Sequence, residues 1–583
     1  MKKVALFLVV IAVALAGLGY LNAQSAEDAK FQKMLDGYLD GLWKFYPTAS
    51  TLAGFTKYND KLEDLSAGTI EKRHDSLDVF NKELVTKVDK SKLSPENQVV
   101  HAMLVDILDM EYIRFENLLP WEYNPLFYNE IFLNSVRSLL VKNGTPLETR
   151  IKSATERAKL LPGLIKKAKE NLKTPAQIYT ETALAQIPGI IDFYRTEAPG
   201  LVASATAKNG FQTEIGKVIT ALEDYQRYLQ AELLPKSSGN FRLGEAHTKL
   251  LRLMSQGDIP IQELVARAKA DFNNIRREML IVAASFHKIM YPDIDIEKLQ
   301  KTDEELKDYI IQNVFNKVFA DHAAKGDFVA KIAESAAAVK AFIAQKQIFD
   351  LPDAELKISA MPAGDRGVQW SRLVPPGAYE PDGTYAFEIM PVPDAWPDAQ
   401  SNSFMEEYND YYLDFLTIQK AFPGTFVPMF FTRKNAALLP KLYPSQALLK
   451  GWPVYVEDLL IYSGFKNYDL RTRLSQLKLM LKNVIDFTLE LNIHEAGMTK
   501  EQAISYMTRR GFQTQAEAER KWNHILLNPG EAAMSYIGYQ EILELASNAK
   551  KLKGAAFNQK EFVQKLLSFG AIPLREIKLR MAQ

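Results

Sequence analysis

Cysteine does not occur in this chain of 583 residues. That excludes disulfides, thiolate metal sites, a cysteine nucleophile and lipid attachment at a leader cysteine. Excess charge is missing as well, because 71 Lys plus Arg balance 71 Asp plus Glu. A balanced surface lacks the basic footprint that nucleic acid requires. Histidine is scarce, with seven residues, and none stands in His-Glu-x-x-His spacing. The nearest approach, His494-Glu495, has Met498 where the second imidazole belongs. No Gly-x-Ser-x-Gly elbow, Gly-rich phosphate loop, internal repeat or low-complexity run occurs, which removes serine-hydrolase and phosphate-loop chemistry.

Apolar residues are plentiful at 47%, enough for a large core, so the chain is globular rather than disordered. Lys2 and Lys3 precede an apolar run from Val4 to Leu21, followed by small residues at Ala23 and Ala26. This pattern predicts a cleaved secretory leader over 1–23, with the folded domain over 27–583. An uncleaved anchor is the competing reading, since about eighteen apolar residues approach spanning length. The Ala and Gly content of the run and its flanks favour cleavage. The expected location is periplasmic or extracellular, with no membrane association beyond the leader.

Helical spacing dominates from Ala26 to Ile348. Phe31, Met34, Leu35, Tyr38, Leu39 and Leu42 form one such stripe. Ser94-Pro95-Glu96, Thr145-Pro146-Leu147-Glu148 and Thr499-Lys500-Glu501-Gln502 are helix starts, each with a capping residue at its head. Residues 351–399 break this rhythm with many Pro and Gly, and Thr384 to Val392 alternates as a short strand. The predicted class is mainly α, a single large helical domain with a small irregular or β segment near 351–399.

One stretch organises the rest. Gln419-Lys420-Ala421-Phe422-Pro423-Gly424-Thr425 is followed about thirty residues later by Lys450-Gly451-Trp452. Further short motifs stand in order along the chain: Tyr46-Pro47-Thr48-Ala49 with Gly54, Phe241-Arg242-Leu243-Gly244, Pro376 with Tyr379, Pro529-Gly530-x-Ala532, and Gly570-Ala571-Ile572-Pro573-Leu574. Together they resemble domain-of-unknown-function family 885, secreted bacterial proteins that look like metallopeptidases. The resemblance spans nearly the whole mature chain. It implies a zincin-like, gluzincin-like helix pair around a central cleft, with His-Glu-x-x-Pro-Gly-His and a downstream Glu as metal site. Here Gln419 and Lys420 occupy the His-Glu pair, Thr425 the second histidine, and Lys450 the downstream Glu.

An amide, a hydroxyl and two ammonium groups make a poor zinc site, and Lys420 with Lys450 repel a cation. The expectation is no cofactor, no metal and no catalytic residue, in a pocket that attracts anions such as a peptide carboxylate. The bland alternative is two lysines that snorkel to solvent. Candidate cleft residues are Tyr379, Trp452, Tyr455, His494 and Tyr536; ordinary core packing is the competing reading for the aromatics, and a hydrogen-bonded structural role for His494. The expected function is an exported, peptide-binding relative of a peptidase that has lost its zinc. Two rivals are an active metal hydrolase with another ligand set and a structural or assembly partner with a vestigial cleft. N-terminal sequencing of the exported protein should find a start near Ala23; an intact Met1 would contradict the leader.

Overall fold

A computed structural model of the chain describes residues 26–142, 145–361, 370–381, 383–435 and 437–582. The expected leader lies outside them. Among the described residues no helix is long and apolar enough to cross a membrane. The fold is mainly helical with one small sheet. The expected domain over 27–583 is built as two compact units. The first holds residues up to Gly239 with Gly377–Glu380 and Ala437–Leu439; the second holds the remainder.

In the first unit, a helix over 26–45 is followed by Pro47–Ala53, Ala67–Lys87, Pro95–Ile113, Pro125–Val141, Leu147–Asn171, Gln177–Asp192 and Lys208–Tyr228. The start read at Ser94 is in place, whereas the helix read from Thr145 begins at Leu147 with no side-chain cap. Ser94 caps the helix from Pro95 by accepting from Asn97 N–H at 3.3 Å. Gly54 ends Pro47–Ala53 in the left-handed region, at φ 88°. An added Cβ there would lie 2.8 Å from Glu380 Cγ, so both conformation and space require glycine. Arg157 is fully buried at the centre of this unit. It donates to the carbonyls of Lys61 (2.7 Å), Ser135 (2.8 Å), Pro47 (2.9 Å) and Tyr58 (3.2 Å) and to the Thr51 hydroxyl (2.7 Å). One guanidinium therefore satisfies the backbone of the Tyr46-Pro47-Thr48-Ala49 turn and the loop after it.

The second unit carries the sheet. Strands β1 (Leu356–Ala360), β2 (Ser371–Val374) and β3 (Tyr385–Ile389) order as β1-β3-β2, with β1 parallel and β2 antiparallel to β3. The alternation read over Thr384–Val392 is the central strand; β1 and β2 left no clear period. Tyr385, Phe387 and Ile389 face inward. Phe387 and Ile389 pack with Phe328, Phe404, Leu413 and Ala421, and so seat the sheet against the helices that lead into the organising stretch.

That lead-in is not one continuous helix. Asn409 restarts the chain, its side-chain oxygen accepting from Tyr411 and Tyr412 N–H (3.2 and 3.1 Å). The result is Asp398–Glu407, then Asp410–Leu416, then a π-turn over Thr417–Ala421. Downstream, Gln446–Tyr462 lies directly on Met534–Lys553. A Cβ on Gly538 would sit 2.7 Å from the Ala447 carbonyl carbon and 3.0 Å from Gly451 Cα. The two glycines let backbone touch backbone. The Gly570-to-Leu574 segment ties two more ends: Ala571 N–H donates to Thr432 Oγ1 (2.7 Å) and its carbonyl accepts from Ser445 N–H (2.8 Å).

Replacing Arg157 by Ala strands several buried carbonyls and should cost at least about 3 kcal/mol in urea unfolding. Arg157→Lys, which has no planar fork, should recover only a small part. An unchanged unfolding midpoint would contradict this role.

Candidate functional site

The site is built within the second unit. Ile418 and Ala421 of the π-turn are fully buried and pin it to the core, which leaves Gln419 and Lys420 on the opposite side. Phe422 N–H closes the wide turn onto the Thr417 carbonyl (2.9 Å), and Gly424 N–H returns to Ile418 (2.8 Å). At Gly424 the backbone folds over so tightly that a Cβ would lie 2.8 Å from the Gln419 carbonyl oxygen. Pro423-Gly424 thus fixes the backbone that presents both side chains.

Gln419 Nε2 donates to Glu457 Oε2 at 2.7 Å. Glu457 is fully buried, and its other oxygen has no partner among the described residues. Burial holds the Glu457 carboxyl well above the usual carboxylate range, and the Gln419 bond offsets this only in part. Lys420 differs. Its side chain is open to water although protein surrounds it on most sides, so it stands in a recess. Lost hydration lowers its ammonium to about 8, helped by repulsion from Lys450, Lys521 and Lys482 and opposed by Glu531.

Those three lysines all have carboxylate partners. Lys450 pairs with Glu531 at 3.0 Å, Lys521 with Asp486 and Lys482 with Glu517. Lys420 has no hydrogen-bond or ion-pair partner among the described residues. Helices Leu470–His494 and Gln515–Leu527 supply Lys482, Asp486, Glu517 and Lys521. His524, where the resemblance implies an arginine, stands 3.8 Å from Glu531, and burial lowers its pKa.

A second cluster lies behind Glu531. Glu490 and His494 are one turn apart on Leu470–His494, and His247 comes from Glu245–Ser255. All three are buried, and their ligand atoms lie within 4.8 Å of one another. Glu490 accepts from Gly530 N–H (2.7 Å), Ala532 N–H (3.2 Å) and His247 Nε2 (3.0 Å). His247 Nδ1 meets Glu495 at 2.9 Å, and His494 Nε2 donates to the Ile525 carbonyl at 3.2 Å. Each Nε2 faces an acceptor in this arrangement, and His494 Nδ1 is buried with no hydrogen-bond partner among the described residues. The frame residues Gln419, Lys420, Thr425 and Lys450 offer an amide, a hydroxyl and two ammonium groups, a poor match for zinc. Thr425 stands at the start of Phe426–Lys434.

The recurrent motifs converge on this second cluster. Arg242 donates to the Ile493 and Met498 carbonyls (3.1 and 3.0 Å), and Gly244 N–H donates to the His494 carbonyl (3.2 Å), closing the helix end. Gly530, at φ 87°, turns the chain so that its own N–H and that of Ala532 hold Glu490. Glu531 between them carries the partner of Lys450.

Of the aromatic candidates in the second unit, Trp452 and Tyr455 lie together, with ring centroids 6.4 Å apart. Trp452 is fully buried against Phe349 (5.7 Å). Tyr455 accepts from Gln559 Nε2 (2.8 Å). Tyr536 donates to Asp271 (2.8 Å) and packs on Phe487. Tyr379 belongs to the first unit, where it accepts from Trp43 Nε1 (2.9 Å) and packs on Phe55. His247, Glu490, Glu531, Lys482 and Lys521 escaped sequence reasoning. Only the Glu490–His494 spacing hinted at a shared face; nothing local marks His247.

Burial disfavours a charged His247, but the hydrogen bonds to Glu490 and Glu495 outweigh it and hold its pKa above the ordinary histidine value. A raised folded pKa gives a stabilising term that is complete below about pH 6.5 and is lost as pH rises through the folded value. The stability difference between wild type and His247→Gln, measured by urea unfolding, should therefore shrink from about pH 6 towards about pH 9. A constant difference would contradict a charged ring.

The sequence profile described as "Bacterial protein of unknown function (DUF885)" matches residues 47–581. Comparison with the curated proteins gives no match. In fold the chain is similar to a solved "putative lipoprotein of unknown function" from Shewanella oneidensis, with TM-score 0.80 and 24% identity over 95% of this chain and 100% of that one. It is also similar to a solved "putative lipoprotein" from Colwellia psychrerythraea, with TM-score 0.73 and 15% identity over 96% of this chain and 99% of that one. The profile runs across both units and takes in the Pro423-Gly424 turn, the Gly451 contact and the Glu490 cradle, and on that match the chain belongs to the DUF885 family of bacterial proteins of unknown function.

Proposed function

We propose that this chain is an exported, metallopeptidase-like protein that binds peptides and has given up zinc-dependent hydrolysis. The observation that carries the reading is the fate of the organising turn. Gln419, in the slot of a metal-binding imidazole, is bonded to the buried carboxyl of Glu457. Lys420, in the slot of the catalytic carboxylate, presents an ammonium to the recess. A hydrolytic zinc needs imidazole or carboxylate ligands and a base that takes a proton from the bound water. An ammonium serves neither purpose, and a cation would have to approach Lys420 and Lys450 together. The scaffold that shapes the recess is nevertheless kept, at Gly424, Gly451 and Gly530. Export rests on the leader pattern and agrees with the lipoprotein descriptions of the two structural neighbours.

Purified protein should contain far less than one zinc per chain by plasma emission spectrometry, and should show no peptidase activity that a chelator abolishes. One tightly held zinc, together with a peptidase activity lost on chelation, would overturn the reading.

A further inference from the structure

The recess has an unbalanced charge. Of the four lysines that act on one another there, Lys450, Lys482 and Lys521 each hold a carboxylate, from Glu531, Glu517 and Asp486. Lys420 holds none among the described residues, and its side chain is open to water. The backbone beneath it is fixed on both sides, by buried Ile418 and Ala421 and by the Gly424 turn. The backbone position from which it projects is therefore set before any ligand arrives, and its own side chain is ordered on binding. An exposed lysine on a convex surface would be neutralised by water and salt. One in a recess, repelled by three neighbouring ammonium groups, gains more from a bound anion.

We propose that Lys420 Nζ is the docking point for the terminal carboxylate of a bound peptide. This rests on the peptide-binding reading above and adds the chemical group that is recognised. A carboxylate is the match, because it supplies to Lys420 the partner that Lys450, Lys482 and Lys521 already hold. The three neighbouring ion pairs also explain why an internal carboxylate does not swing across to Lys420. Each is already engaged, and Glu531 is further held in place because Gly530 and Ala532 on either side are bonded to Glu490.

The test uses the full exported protein. A mixture of tripeptides with free C-termini and the same mixture as C-terminal amides are compared by competition binding. The acids should bind at least about tenfold more tightly, the scale of one charge-assisted hydrogen bond. Lys420→Gln should erase that preference, while Lys420→Arg should keep most of it. In parallel, the rate of Lys420 trinitrophenylation is followed by mass spectrometry, and acetate should slow it while chloride at equal ionic strength does not. Equal binding of acids and amides would overturn the docking point and leave the peptide reading standing. Binding of neither set, with acetate still protecting Lys420, would overturn the peptide reading and reduce the site to one for small carboxylates. Failure of acetate to protect Lys420 would overturn the site itself.

Discussion

The contact of Gly451 with Gly538 is the constraint on which the second unit depends. Two helices meet there with no side chain between them, so a Cβ on either glycine would enter the other backbone. Everything that faces the recess from Gln446–Tyr462 is placed by this contact. Lys450 precedes the glycine and reaches Glu531; Glu457, two turns on, meets Gln419. Trp452, next in line, is driven fully into the core. A substitution that pushed these helices apart would move the ion pair and the Gln419–Glu457 bond together.

The Glu490 cradle is the second fixed point, and it gives the Pro529-Gly530-x-Ala532 motif a physical meaning. A buried carboxylate needs donors, and Gly530, Ala532 and His247 provide them. The turn that makes this possible also points Glu531 the other way, towards Lys450. The motif thus couples a closed, fully buried polar cluster to the charge balance of an open recess. Phe241-Arg242-Leu243-Gly244 serves the same cluster by closing the C-terminal end of the Leu470–His494 helix. Such motifs carry structure whether or not a metal is ever bound.

Much of the fold was legible in the sequence because it is written in local terms. Helical spacing and caps such as Ser94 and Thr499 mark elements that the structure places within a few residues. The central strand was legible through its alternation, whereas β1 and β2 were not, since neither shows a clean two-residue period of burial. The π-turn was invisible, because widening a helix by one residue changes no periodicity over so short a span. The organising stretch was legible as a frame, and the structure brings Gln419, Lys420 and Lys450 into one neighbourhood. Their partners were not legible: Glu457, Glu531, Asp486 and Glu517 are charged residues on ordinary helices, and only packing distinguishes them from solvated ones. Nor was it legible that Tyr379 would accept from Trp43 and pack on Phe55.

The central claim is that Lys420, and not a metal, occupies the chemical centre of this recess. The most direct measurement is a crystal structure grown with both zinc and a tripeptide, with anomalous data collected at the zinc absorption edge. The account predicts density for the peptide carboxylate against Lys420 Nζ, an intact Gln419–Glu457 hydrogen bond, and no anomalous peak between the π-turn and Lys450. A zinc peak coordinated there, with Lys420 turned away from it, would contradict the account.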